Sequence, residues 1–215
     1  LRLENMVEIA KRRGLDGICI TDHDSMGLKE FAAEYSEKTG FPIFVGIEFY
    51  SLQGDIVAFG IEDYPKERIP AQEFVDLVQA QGGMCFSAHP FRNNNRGLEE
   101  NLKIVKGLDG IEVLNGSTLY EANRKAAEYA AELGLATVGS SDCHVPEKLG
   151  LYATYFPREI RSVQELIRSV KRCETLPVYY KEGGYYLTFT SRNRWCVPVN
   201  VKNENRYEKI KRFFY

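Results

Sequence analysis

Only three histidines occur in 215 residues, and each directly follows a short apolar run. His23 lies in Thr21-Asp22-His23-Asp24, His89 in Ala88-His89-Pro90-Phe91-Arg92, and His144 in Ser140-Ser141-Asp142-Cys143-His144. Glu48 closes a fourth run, "IFVGIEF". Imidazole and carboxylate donors without thiolates suit Zn, Mn or Fe and do not choose among them. Two or more such ions bridge an oxyanion and lower the pKa of bound water from 15.7 to about 7. The stretch "GSSDCH" leaves three readings open: a metal site, a Cys-His nucleophile pair, or a polar turn. Asp142 and His144 are two apart, so extended backbone after a strand points both to one side and Cys143 to the other. That arrangement disfavours the nucleophile pair.

The positioning elements repeat. Leu3, Met6, Val7 and Ala10 have helical spacing, Gly14 stops the helix, and "DGICIT" (16–21) reads as a strand. A helix is predicted over 27–39, then the strand "FPIFVGI" (41–47); a helix over 71–81, then "GMCFSA" (83–88); a helix over 98–106, then "GIEVL" (110–114). Thr118-Leu119-Tyr120-Glu121 reads as a capping box opening a helix to Gly134, followed by "LATVG". Ser162-Val163-Gln164-Glu165 is a second capping box, for a last helix to about Arg172. The segment "YSLQGDIVAFG" (50–60) differs, with two short strands about Gln53-Gly54-Asp55. "LPVYYKEGGYYLTF" reads as a hairpin about Gly183-Gly184.

Helices alternating with short apolar strands imply parallel strands covered by helices, in an open doubly wound sheet or a closed barrel. Both place the C-terminal strand ends on one face, so positions 23, 48, 89, 142 and 144 meet there. Singly, each has a plainer role: Asp22 and Asp24 as helix caps, Glu48 as an arginine's partner.

The length fits one domain or one with a small appendage. No apolar run approaches the ~20 residues of a membrane span. A net charge of -2 gives no case for bulk nucleic-acid affinity, although from 181 onward eight Lys/Arg face three Glu, an excess of +5. That tail, with Trp195 and several tyrosines, either binds nucleic acid by stacking and phosphate contact or packs as an extra hairpin on the core or on a partner subunit; the hairpin is the preferred reading. Five cysteines (19, 85, 143, 173, 196) form no CxxC, which favours a reducing cytoplasm, with Cys19 and Cys85 as small hydrophobes inside strands.

"GLDGICITDHDS", "GIEF", "AHPFR", "IEVLNG", "EANRKAAEYAAELGLATVGSSDCH" and "LGLYATYF" together resemble the PHP (polymerase and histidinol phosphatase) superfamily, and most of all its small stand-alone metal-dependent phosphoesterases. The resemblance runs from about residue 2 to about 178. It implies a distorted TIM-like (β/α)7 barrel over 1–178, with 179–215 as a short β-rich extension. It also implies a centre of two or three divalent ions (Mn, Zn or Fe). His23, Glu48, His89, Asp142 and His144 become metal ligands, Arg92 and Asn115 substrate-binding residues, and Arg92, Asp142 and His144 catalytic ones. Arg92 and Asn115 keep plainer readings, as a surface charge and a turn former. The implied reaction is hydrolysis of phosphate monoesters by metal-bound hydroxide, on a phosphorylated small molecule or nucleotide.

Two departures stand out. The family's opening strand with His-x-His is absent from these residues, so an upstream strand and loop are expected; its true loss would leave a catalytically silent binding or regulatory module. Asp55 stands where many relatives carry His, and either still ligates or leaves the ion there more weakly held.

Overall fold

The computed structural model describes residues 2–188 and 198–199. Its first half is built from α1 (Leu3–Arg12), β1 (Ile18–His23), α2 (Lys29–Thr39), β2 (Ile43–Tyr50), β3 (Asp55–Phe59), α3 (Ala71–Ala80) and β4 (Met84–Ser87). There follow β5 (Gly110–Asn115), α4 (Tyr120–Leu133), β6 (Ala136–Ser140), β7 (Tyr152–Tyr155), α5 (Val163–Lys171), β8 (Leu176–Lys181), β9 (Gly184–Leu187) and β10 (Pro198–Val199). Strands β1 to β6 lie in sequence order in one six-stranded sheet, curled as a half-barrel. Strands β7 to β10 form a second, antiparallel sheet.

Within the larger sheet, β1 and β2 are parallel, as are β4, β5 and β6, whereas β3 runs against both its neighbours. Five strands therefore share one direction. Residues of β3 alternate between two cores: Ile56 and Ala58 join Phe74, Val75 and Val78 of α3, while Val57 and Phe59 join Leu166, Ile167 and Val170 of α5. Helices α1 and α2 cover β1 and β2 through Leu3, Val7, Ala10 and Ala32. Gly40 and Gly134 end α2 and α4 in left-handed backbone, as their positions after the apolar periodicity require.

Several expectations need correction. The helix over 98–106 is only a 3-10 turn, Glu99–Lys103, because Glu99 sits at φ 47° and the run is too short to propagate. Thr118 does not cap α4, whose preceding residue is Leu119 with no side-chain cap; its hydroxyl is engaged elsewhere, as described below. Ser162 does cap α5, accepting from the Glu165 amide at 3.2 Å. The later hairpin turns at Glu182-Gly183, both with positive φ, which suits a two-residue turn between β8 and β9. The boundary expected at 178/179 falls inside β8, which pairs with β7 and so ties the start of the extension to the core. Cys85 is buried as expected, whereas Cys19, on the same face of β1 as His23, keeps solvent-accessible surface. Trp195 and most of the basic tail lie outside the described residues.

Phe74 is fully buried and stacks on Phe49 with ring centroids 4.1 Å apart. Phe74→Ala is expected to cost about 3–5 kcal/mol, a melting-temperature drop of roughly 6–20 °C. Phe31→Ala, at a half-exposed position, is expected to stay within about 0.5 kcal/mol in the same thermal melt.

Candidate metal centre

The C-terminal ends of β1, β2, β4, β5 and β6 form one rim, and the reversed β3 delivers its first residue, Asp55, to the same rim. His23 and Glu48 are direct partners in the β1–β2 ladder. His89 follows β4, Asn115 ends β5, and Asp142 and His144 follow β6. Asp24, His89 and Asp142 take positive φ (50°, 29° and 44°), so the chain turns sharply as it leaves three of these strands.

The innermost group is Glu48, Asp55 and His89. Their ligand atoms all lie within 4.8 Å of one another, and all three residues are buried. His89 Nε2 is 3.1 Å from Glu48 Oε1 and 3.7 Å from Asp55 Oδ2. His23 Nδ1 stands 3.9 Å from Glu48 Oε1, and the His23 and His144 rings are 6.1 Å apart. The three imidazoles thus share one mouth. His89 is sunk into it, its side chain 3% exposed, while those of His23 and His144 are 49% and 70% exposed at its entrance.

A second network fastens this group. The Arg92 guanidinium donates through Nη2 to Asp142 Oδ2 and, at 2.5 Å, to Asn115 Oδ1; its Nε donates to Thr118 Oγ1 at 3.1 Å. Asn115 Nδ2 donates to Asp142 Oδ2 at 3.2 Å and to Glu112 Oε2 at 3.0 Å. Glu112 also accepts from the His89 backbone N–H at 2.6 Å and from the Ser140 hydroxyl. One buried carboxylate on β5 therefore holds the backbone of His89 and, through Asn115, the carboxylate of Asp142.

Electrostatics follow from burial and pairing. Burial pushes Glu48 up, but the hydrogen bond from His89 and the charges of His89 and His23 outweigh it and leave the carboxyl below its ordinary range. Burial pushes His89 down, and the bond to Glu48 with the charge of Glu112 reverses that, raising the imidazole. Asp142 is lowered because Arg92 overcomes its burial. Burial holds Glu112 up despite its three donors, and Asp55 is raised by burial and by Glu48 against the pull of Arg96. Buried carboxylates converging with an imidazole are a donor set that fits a divalent cation.

All five expected ligands and both expected substrate-binding residues stand at this rim. Asp142 is not in extended backbone as expected; even so, Cys143 turns away, its Sγ 3.0 Å from Val145 O and its thiol raised by burial. Asp24 does not cap α2; its Oδ1 accepts from the Tyr50 amide at 2.9 Å. Arg96, Glu112 and Thr118 were not singled out for the site. The polar run "RNNNRG" after "HPF" is the one sequence signal for Arg96, and the cap-like spacing of Thr118 to Glu121 masks its place here.

Residues 120–175 match a family model described as PHP-associated. An uncharacterized protein of Methanocaldococcus jannaschii is 28% identical over 112 residues, covering 52% of this chain and 64% of that protein, so the matched stretch spans less than two thirds of that relative. A protein assigned as a metal-dependent phosphoesterase from Bifidobacterium adolescentis superposes with TM-score 0.58 at 20% identity, covering 66% of this chain and 82% of that one. An amidohydrolase from Chromobacterium violaceum gives 0.56 at 19% identity, with 67% and 83% covered. The lesion-specific endonuclease Q of Pyrococcus furiosus gives 0.62 at 17% identity, with 79% of this chain and 51% of that one covered. At these identities the likeness is one of fold.

Glu112→Ala leaves two buried donors, on His89 and Asn115, without acceptors, and is expected to cost at least about 2 kcal/mol. Glu112→Gln keeps an acceptor for them and is expected to cost less than about 1 kcal/mol by urea unfolding. Equal losses in the two variants would show that Glu112 does not act by accepting hydrogen bonds.

Proposed function

We propose, from the PHP superfamily membership that the family-model match and the shared fold support, that this chain is a metal-dependent hydrolase of phosphate esters. The observation that carries the reading is the convergence of Glu48, Asp55 and His89 at a rim that also holds His23, Asp142, His144 and Arg92. Glu48, Asp55 and His89 would hold one ion, with His23, Asp142 and His144 completing the centre toward the entrance. Divalent ions there supply polarisation of a phosphoryl oxygen and a water of lowered pKa. Among the described residues, β1, which carries His23, is the end strand of the six-stranded sheet.

The protein's own groups account for the rest of the chemistry. Arg92 lies part-buried at the rim, its fork set by Asn115 and Thr118 and its charge resting on Asp142. A phosphate that reaches the rim meets a guanidinium already oriented for bidentate contact, which passes from the carboxylate to the phosphate oxygens. Asn115 offers an amide to the same place. His144 Nδ1 is 3.6 Å from Asp142 Oδ1 and the ring is largely exposed at the entrance, so solvent water reaches this place and supplies the proton that a departing alkoxide takes up.

The substrate class we favour is the phosphate ester of a nucleotide or short oligonucleotide. Support comes from the endonuclease Q structure, which has been determined with a 27-mer duplex substrate carrying an abasic lesion at its active site. The amidohydrolase neighbour makes amides the natural comparison.

Hydrolysis of an aryl phosphate is expected to stop on chelation and return with Mn2+. His89→Ala is expected to lose at least about 100-fold in kcat while keeping its circular dichroism spectrum. Full turnover by the variant, or turnover of amides with none of phosphate esters, would overturn the reading.

A further inference from the structure

Arg96 occupies one corner of the centre with a charge of its own. Its Nε and Nη2 donate to Asp55 Oδ2 at 2.7 Å and Oδ1 at 2.8 Å, a two-pronged grip on a carboxylate with no exposed side-chain surface. The same Nη2 stands 3.5 Å from His23 Nδ1. Asp55 Oδ2, which Arg96 holds, is also the oxygen that faces His89 Nε2. The guanidinium is therefore wedged among the atoms that would ligate an ion.

Nothing about this placement is loose. The Asp55 amide donates to the Arg96 carbonyl at 2.6 Å, so backbone and side chain both join the two residues. The Tyr50 ring packs against Arg96, its centroid 4.4 Å from Cζ, and Arg68 packs on the same ring at 3.5 Å. Gly97 lies so close to Pro90 that any side chain there would strike the Pro90 carbonyl, and a side chain at Gly54 would reach within 2.6 Å of the Gly97 carbonyl carbon. The loop carrying Arg96 is thus pressed directly onto the β2–β3 turn.

We infer that Arg96 is a resident cation of the centre, neutralising Asp55 so that a divalent ion at Glu48, Asp55 and His89 binds in competition with it. This rests on the metal-centre reading above. An oxygen that already accepts from a guanidinium has less to give an ion, and two cations sharing one carboxylate repel. The residue so sets how many ions the rim takes and how tightly it holds the one nearest Asp55. An ion pair with a purely structural role predicts something else: loss of Arg96 would lower stability and leave metal binding unchanged.

The test compares metal-free wild type with Arg96→Gln, as the full chain, in calorimetric titrations with Mn2+ and in thermal melts with and without it. The variant is expected to bind Mn2+ at least tenfold more tightly, or to take one more equivalent, and to gain more in melting temperature from the metal than wild type. Binding only by the variant supports the inference as well. Equal affinity and stoichiometry overturn it and leave the metal-centre reading standing; no binding by either chain overturns both. Should Arg96→Gln fail to fold, the Arg96 Nε–H signal in 15N NMR spectra of wild type is followed as Zn2+ is added. A shift on binding supports competition, and a signal that stays put while the metal binds overturns it.

Discussion

Carboxylates removed from water must be met by cations or by donors, and that demand organises this protein. Glu48, Asp55, Glu112 and Asp142 all sit at or near one rim with little or no exposed side-chain surface. Each is answered differently: Glu48 by two imidazoles, Asp55 by Arg96, Asp142 by Arg92, and Glu112 by an amide, a hydroxyl and a side-chain amide. A buried charge left unpaired costs several kcal/mol, so the partners are as much a part of the site as the acids.

The sheet makes this concentration of charge possible. Apolar alternation places Ile56 and Ala58 on one core and Val57 and Phe59 on another, so the body of β3 is fixed by packing on both faces. Polar groups are left to the strand ends, where the backbone leaves the ladder. The left-handed residues at Asp24, His89 and Asp142 sit at those exits, and the tight hydrogen bond from the His89 amide to Glu112 offsets some of the strain of such a turn. Packing sets where the rim is; hydrogen bonding sets what points into it.

Much of this was legible from residue order. Strands followed by histidines, with glycines closing the helices before them, sufficed to place His23, His89, His144, Glu48 and Asp142 together. What escaped was long-range and local at once. Arg96 pairs with Asp55 across 41 positions, and no periodicity records such a contact. Glu112 lies in an apolar strand, where a carboxylate is unexpected and its partners come from β6 and from the residue after β4. Thr118 misled because a hydroxyl three residues before a glutamate is the signature of a cap, yet a guanidinium claimed it first. The short turn at 99–103 failed as a helix because a left-handed residue at its start outweighs helical composition.

The reversal of β3 carries an evolutionary corollary. Side chains alternate along a strand, so deleting one residue of the 51–54 connection would bring Ile56 to the mouth in place of Asp55 and exchange the two packed faces of β3. That connection is also knotted on itself, with the Ser51 hydroxyl bonded to Gly54 O at 2.6 Å and the Gly54 amide bonded back to the hydroxyl at 3.1 Å. Descendants of this chain should therefore tolerate length changes in the exposed stretch around 145–148 far more readily than in these four residues, whatever substitutions accumulate within either.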